Sequence, residues 1–163
     1  MKRFITLFIT LCVFFITIYQ EPSIANAAIN TKHYATTTFS NGAYIETYIS
    51  IPSATITSGM KAFSSNNTIT RTKTSYYKNS AGTILWSIAI EATFTYDGTT
   101  AKCTYCTYKT ACYSSSWKIK YASCSKSKNT ATATVTATHY INNTSNDITQ
   151  NVKITCNKNG IIS

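Results

Sequence analysis

The residues able to do chemistry in this 163-residue chain are six cysteines, two histidines and five carboxylates. Cys103-Thr104-Tyr105-Cys106 is a C-x-x-C pair, a spacing shared by zinc sites and thiol redox motifs. A zinc site needs that spacing on a tight turn, where both sulfurs converge on one ion. Thr104 and Tyr105 are strand formers, and on a regular strand Cys103 and Cys106 point to opposite faces. No metal or cofactor is therefore expected, and a redox motif would lack its strand-to-helix setting. A Cys112–His139 or Ser–His139–Asp147 arrangement can be drawn. No nucleophile elbow, H-E-x-x-H helix or Gly-rich phosphate loop accompanies it. The few carboxylates are scattered and do not announce a glycosidase pair. The expectation is a protein that is not an enzyme, with His33 and His139 as ordinary residues.

The elements that must position these residues read as strands. In Thr83–Tyr96, Trp86, Ile88, Ile90, Ala92, Phe94 and Tyr96 alternate with smaller, mostly polar residues. That period of two marks a strand with one face in a core. Around it lie short Thr-, Tyr-, Ile- and Val-rich runs divided by turn residues. These are Tyr34–Ser40, Ala43–Ser50 (joined through Asn41-Gly42), Thr68–Tyr77, Ala101–Cys112, Trp117–Cys124, Thr130–Ile141 and Asp147–Cys156. Residues 51–66 read as a connection with a short strand or turn of helix. About eight or nine antiparallel strands at this spacing predict an all-β sandwich in preference to a closed barrel.

Residues 1–27 read as an address rather than structure. Lys2 and Arg3 precede an apolar run from Phe4 to Tyr19, and Ala25-Asn26-Ala27 is an A-x-A cleavage site. The run is shorter than the roughly 20 residues of a membrane span, and Cys12 lies inside it, not at its end as in a lipoprotein. Cleavage leaves residues 28–163 as a single domain, with thirteen basic and four acidic side chains and a net charge of +9. No second long apolar segment follows. Such a charge favours polyanionic partners outside the cell.

A three-residue loop at Ser114–Ser116 would make Ala101–Cys112 and Trp117–Cys124 a hairpin, with Tyr113 opposite Trp117. Cys106 then faces Cys124, at the roughly 4.5–5.5 Å Cβ separation of direct cross-strand partners, near what a disulfide needs. The same register gathers Lys102, Tyr108, Lys118 and Lys120 on one surface, a candidate binding face in which tyrosine stacks and lysine attracts. It also turns Lys109 inward, a conflict that a bulge would remove. Thr130, Thr132, Thr134, Thr136 and Thr138 line one face of a strand at the spacing of ice-binding arrays. Such arrays need rows on neighbouring strands, and only Thr68, Thr70, Thr72 and Thr74 offer one. A solvated strand is the expectation.

TFTYDGTTAKCTY (93–105), the Trp117 strand with its Ser- and Lys-rich exit, KNTATATVTATHY (128–140) and VKITCNKNGIIS (152–163) carry a resemblance. Over residues 69–163 the chain resembles small exported proteins of clostridia and related Gram-positive bacteria. The resemblance implies an immunoglobulin-like β-sandwich, brings no catalytic residues, and puts the usual cysteines at Cys103 and Cys156. In the strand register both of these point to the core, Cys156 in phase with Ile148, Val152 and Ile154. Cys103–Cys156 is thus the first expected disulfide and Cys106–Cys124 the second. Cys112 is left free or available for pairing with another molecule. The functional expectation is a secreted, non-enzymatic binding module at the bacterial surface, contacting an anionic cell-wall polymer or glycan. Nucleic acid is a poor partner for an exported chain with so little arginine. A secreted cationic antimicrobial or toxin-like protein is the alternative class, and a secreted hydrolase the third.

Overall fold

The computed structural model describes residues 30–51 and 67–163. The expected signal peptide and the connection at 52–66 lie outside the described residues. Among the described residues there are eight strands: β1 (Asn30–Thr38), β2 (Tyr44–Ile51), β3 (Asn67–Lys78), β4 (Ile84–Tyr96), β5 (Ala101–Cys112), β6 (Trp117–Ser127), β7 (Thr130–Ile141) and β8 (Thr144–Thr155). They form two antiparallel sheets, one in the order β1-β2-β3-β4-β5 and one in the order β6-β7-β8. Among the described residues no helix is long and apolar enough to cross a membrane.

The period of two in β4 builds the core. Trp86, Ile88, Ile90, Ala92 and Phe94 are 0% exposed, and Tyr96 is half-buried at the strand's end. Facing them from β7 are Ala131, Ala133, Val135 and Ala137, also 0% exposed. The small β7 side chains let the sheet carrying the bulky β4 row pack close. Burying each large side chain in that row is worth roughly 1.5–3 kcal/mol. At one end Tyr77 stacks on Trp86 at 5.1 Å, Trp117 tilts against both, and His139 lies flat on Trp117 at 4.4 Å. The Trp86 indole N–H is buried without an acceptor among the described residues.

The β5–β6 connection differs from the expected hairpin. β5 is the edge of the larger sheet and β6 the edge of the smaller one, so the two strands do not pair. Tyr113 donates its backbone N–H to Leu85 at 2.9 Å, and Tyr140 donates to Ser116 at 2.9 Å, tying the crossing segment to both sheets. The reason is the β4 row. A β5–β6 hairpin would add a sixth strand to one sheet and leave only two strands to cover that row. Crossing over instead delivers Trp117 and Ile119 to the opposite wall.

A bulge changes the phase of β5. Phe94 pairs with Cys103 and Thr93 with Tyr105, leaving Thr104 as the extra residue. Two residues thus oppose one, and the alternation resets. Lys109 turns outward, which removes the expected conflict. Cys103 and Cys106 both turn inward, opposite the buried Phe94 and Ala92, so the C-x-x-C side chains do not point to opposite faces as a regular strand would require.

The sheets are of unequal width. β8, β7 and β6 face β3, β4 and β5, and β1 and β2 extend beyond them. Every residue of β1 is exposed. After β8 the chain turns back on itself: Thr155 and Ser163 exchange backbone hydrogen bonds of 2.9 Å, and Cys156 bridges Ile162. This C-terminal hook borders the overhang.

Candidate functional site

The four residues expected to form one binding face are distributed over three surfaces. Lys102 pairs with Thr95 on the outer face of the larger sheet. Tyr108 pairs with the buried Ile90, and so belongs to the inner side, 39% exposed at the seam beside β6. Lys118 and Lys120 lie on the smaller sheet, Lys118 with its Nζ 5.7 Å from the Tyr140 ring. Lys120 forms an ion pair of 2.6 Å with Asp147. That lysine, followed by the Thr138 hydroxyl, holds the Asp147 carboxyl below the usual carboxylate range. The shared surface disappears because it depended on a β5–β6 hairpin.

The smaller sheet's outer face carries the threonine ladder. Thr130, Thr134, Thr136 and Thr138 hydrogen-bond to Thr155, Asn151, Thr149 and Asp147 of β8. Thr68, Thr70, Thr72 and Thr74 belong to the other sheet and cannot extend the ladder. His139 pairs with Asn146, whereas Asp147 pairs with Thr138, so the imidazole and this carboxylate occupy opposite faces.

The five described cysteines are free thiols. Cys106 and Cys124 point inward from facing edge strands and meet across the seam, each packed against the core. Burial, then the adjacent Cys106 thiol, pushes Cys124 up to about 12. Cys103 and Cys156 are held by successive carbonyls of one turn. Cys103 N–H donates to Lys128 O at 2.8 Å and Cys156 N–H to Asn129 O at 3.0 Å. Burial raises both thiols above the ordinary value. Cys112, exposed, donates its S–H to Trp117 O at 3.2 Å. Among the described residues no group of three His, Cys, Asp or Glu side chains is arranged to hold a metal ion.

An open depression with paired aromatic rings lies on the outer face of β1–β3. Tyr48, Ser50, Thr72, Thr74 and Tyr76 are alternate residues of two paired strands, and with Thr31 they line this depression of about 420 Å³. Tyr48 and Tyr76 meet edge to face at 6.0 Å, and His33 adds a third ring, 5.5 Å from Tyr48. The Tyr48 hydroxyl donates to Glu46 Oε2 at 3.0 Å, and Lys78 Nζ binds the same oxygen at 2.6 Å. Lys78 first, then Tyr48, keeps the Glu46 carboxyl below the usual range, and the same contact with Glu46 raises the Tyr48 phenol. Ser50 Oγ accepts from Thr72 N–H and donates to Thr72 O, both at 3.1 Å, pinning that side of the floor. In the structure Tyr77 enters the core while Tyr76 faces out. The alternation Tyr44-Glu46-Tyr48-Ser50 was visible in sequence, but its pairing with Thr72-Thr74-Tyr76 spans a connection whose length gives no register.

The chain matches no protein-family model, no curated protein and no solved structure.

Proposed function

We propose that this chain is an exported, non-enzymatic binding module whose ligand is a glycan or anionic polymer of a bacterial surface. The observation that carries the reading is the Tyr48–Tyr76 depression. Two tyrosine rings, one fixed by its hydroxyl bond to Glu46, stand among the hydroxyls of Thr31, Ser50, Thr72 and Thr74. Sugar rings present apolar C–H faces that stack on tyrosine and hydroxyls that exchange hydrogen bonds with serine and threonine. The excess of basic residues adds long-range attraction to anionic polymers. The reading takes residues 1–27 as a cleaved signal peptide and the paired sheets as an immunoglobulin-like sandwich. In that oxidising setting Cys103–Cys156 and Cys106–Cys124 form disulfides, and Cys112 is left over.

The test is retention of the purified protein on immobilised cell-wall glycan and on teichoic-acid-type polymer. Tyr48→Ala and Tyr76→Ala should each weaken retention about three- to tenfold, the range expected for loss of an aromatic contact. Lys118→Glu with Lys120→Glu, on the other sheet, should change only the salt dependence. Wild-type retention by both tyrosine variants would reject the depression as the ligand site.

A further inference from the structure

The inner side of the overhang holds a second feature, independent of the tyrosine depression. Lys32, Ile49, Lys73 and Ile90 form one cross-strand row on the inner face of β1 to β4. Arg71 lies two residues before Lys73 on the same face, opposite the buried Ala92. A bulge in β1 leaves Tyr34 unpaired between His33 and Ala35 and places its ring 3.7 Å from Lys73 Nζ. Lys32, Tyr34, Ile49, Ile51, Arg71 and Ile162 line a recess of about 420 Å³ between the overhang and the C-terminal hook.

The charge in this recess is unbalanced. Lys73 is 3% exposed, and its ammonium donates to Lys153 O at 2.7 Å beside the Tyr34 ring. Arg71 spends one guanidinium donor on Thr70 O at 2.9 Å. None of the four side-chain carboxylates in the described residues is there, and the Ser163 oxygen beyond Ile162 accepts from Thr155 N–H. Glu46 binds Lys78, Asp147 binds Lys120, Asp97 is bound within its own turn, and Glu91 faces outward from β4. Cations on an apolar floor without a counter-charge are costly, and an anion that reaches them regains that cost.

We infer that the recess is an anion site that takes a phosphate group carried by the ligand, with Arg71 and Lys32 as its direct donors. The guanidinium offers a flat fork that matches two oxygens of an oxyanion, and Lys32 supplies a mobile point charge from β1 on the same face. Lys73, behind them, adds a third positive charge. The site therefore suits a terminal phosphate monoester or free phosphate, which carries about −1.5 to −2 at neutral pH, better than a singly charged carboxylate. The apolar floor accommodates the carbon next to the phosphate ester.

The experiment is titration of the protein with inorganic phosphate at pH 7 and constant ionic strength in a phosphate-free buffer, followed by amide NMR shifts. Saturable shifts should cluster at residues 32–34, 71–73 and 160–162. Arg71→Gln should weaken binding tenfold or more, and Arg71→Lys, which keeps the charge but loses the fork, should weaken it several-fold. Lys102→Gln and Tyr48→Ala should leave it unchanged, which separates this site from the tyrosine depression. Acetate should bind at least tenfold more weakly. Shifts spread over the surface lysines, equal weakening by Lys102→Gln, or equal affinity for acetate would each overturn the assignment.

Discussion

Lys73 shows how one side chain reports the balance of this fold. Burial lowers its pKa from an ordinary 10.5 to about 8. Between those values the unfolded chain binds the proton and the folded chain does not, so stability rises with pH across that window. Below about pH 8 the full penalty is present, on the order of 3 kcal/mol. Lys73→Met should abolish this rise, as read from urea unfolding of both proteins at pH 7.5 and 10. The thiols and phenols that titrate nearby are common to both and cancel in the difference. An undiminished rise in Lys73→Met would assign the effect elsewhere. The seam thiols give a second prediction. Exchange with oxidised glutathione should join Cys106 to Cys124, reducing one glutathione disulfide to two thiols per bond formed. Closing a loop of this length stabilises by about 3 kcal/mol. Peptide mapping without reduction should recover that pair, and Cys124 joined to Cys112 would refute it. Before oxidation, exposed Cys112 should alkylate at pH 8 well ahead of Cys124, whose raised pKa leaves almost no thiolate.

Single residues that break the period of the strands decide where whole strands present their side chains. Thr104 in β5 and Lys120 in β6 are such residues, each an unpaired extra position in its ladder. Deleting Thr104 should close the bulge into a regular ladder in which Thr93 still pairs with Tyr105 and Ala92 with Cys106, so that Cys106 and Tyr108 stay inward and Lys109 outward. Near-wild-type stability in thermal unfolding is the expected outcome, and a loss of several kcal/mol would show that the bulge itself is required. The hook after β8 depends on Gly160, whose φ is +78° and whose absent Cβ would overlap the Tyr96 ring. Gly98 has a similar φ of +85° but open space around it. Gly98→Ala should therefore cost only the backbone term, about 1 kcal/mol. Gly160→Ala should cost clearly more, and equal melting temperatures for the two would show that Tyr96 moves freely aside.

Across the whole molecule the unequal sheets set a gradient of stability. β1 is exposed on both faces, whereas β4 and β7 contribute fully buried rows. Amide exchange should be fastest in β1 and reach the global unfolding limit in β4 and β7; protection in β1 equal to that in β4 would mean the overhang is covered in solution. Both proposed sites lie in this less protected part, on opposite sides of the same three strands. Sequence alone determined the strands and the buried face of β4, because both follow from a local period of two. The seven surrounding strands overlap the runs that turn residues and β-branched stretches mark, but β1 starts at Asn30 rather than Tyr34, β6 runs on to Ser127, and β8 starts at Thr144 rather than Asp147. The early start of β8 comes from Asn142 and Asn143, both at positive φ, which close a two-residue hairpin where the sequence suggested a longer connection. Which sheet a strand joins is not local. The sequence treats Ser114–Ser116 as a hairpin loop, and only the need to cover Trp86 to Phe94 sends β6 to the opposite wall. The grouping of Lys102, Tyr108, Lys118 and Lys120 failed for that reason, since a binding face is made of neighbours in space. Two depressions took their place: Tyr48 reached Tyr76, and Lys32 reached Arg71, through pairings across β1, β2 and β3. Periodicity says which way a side chain faces; sheet membership and bulges, fixed by long-range packing, say what it faces.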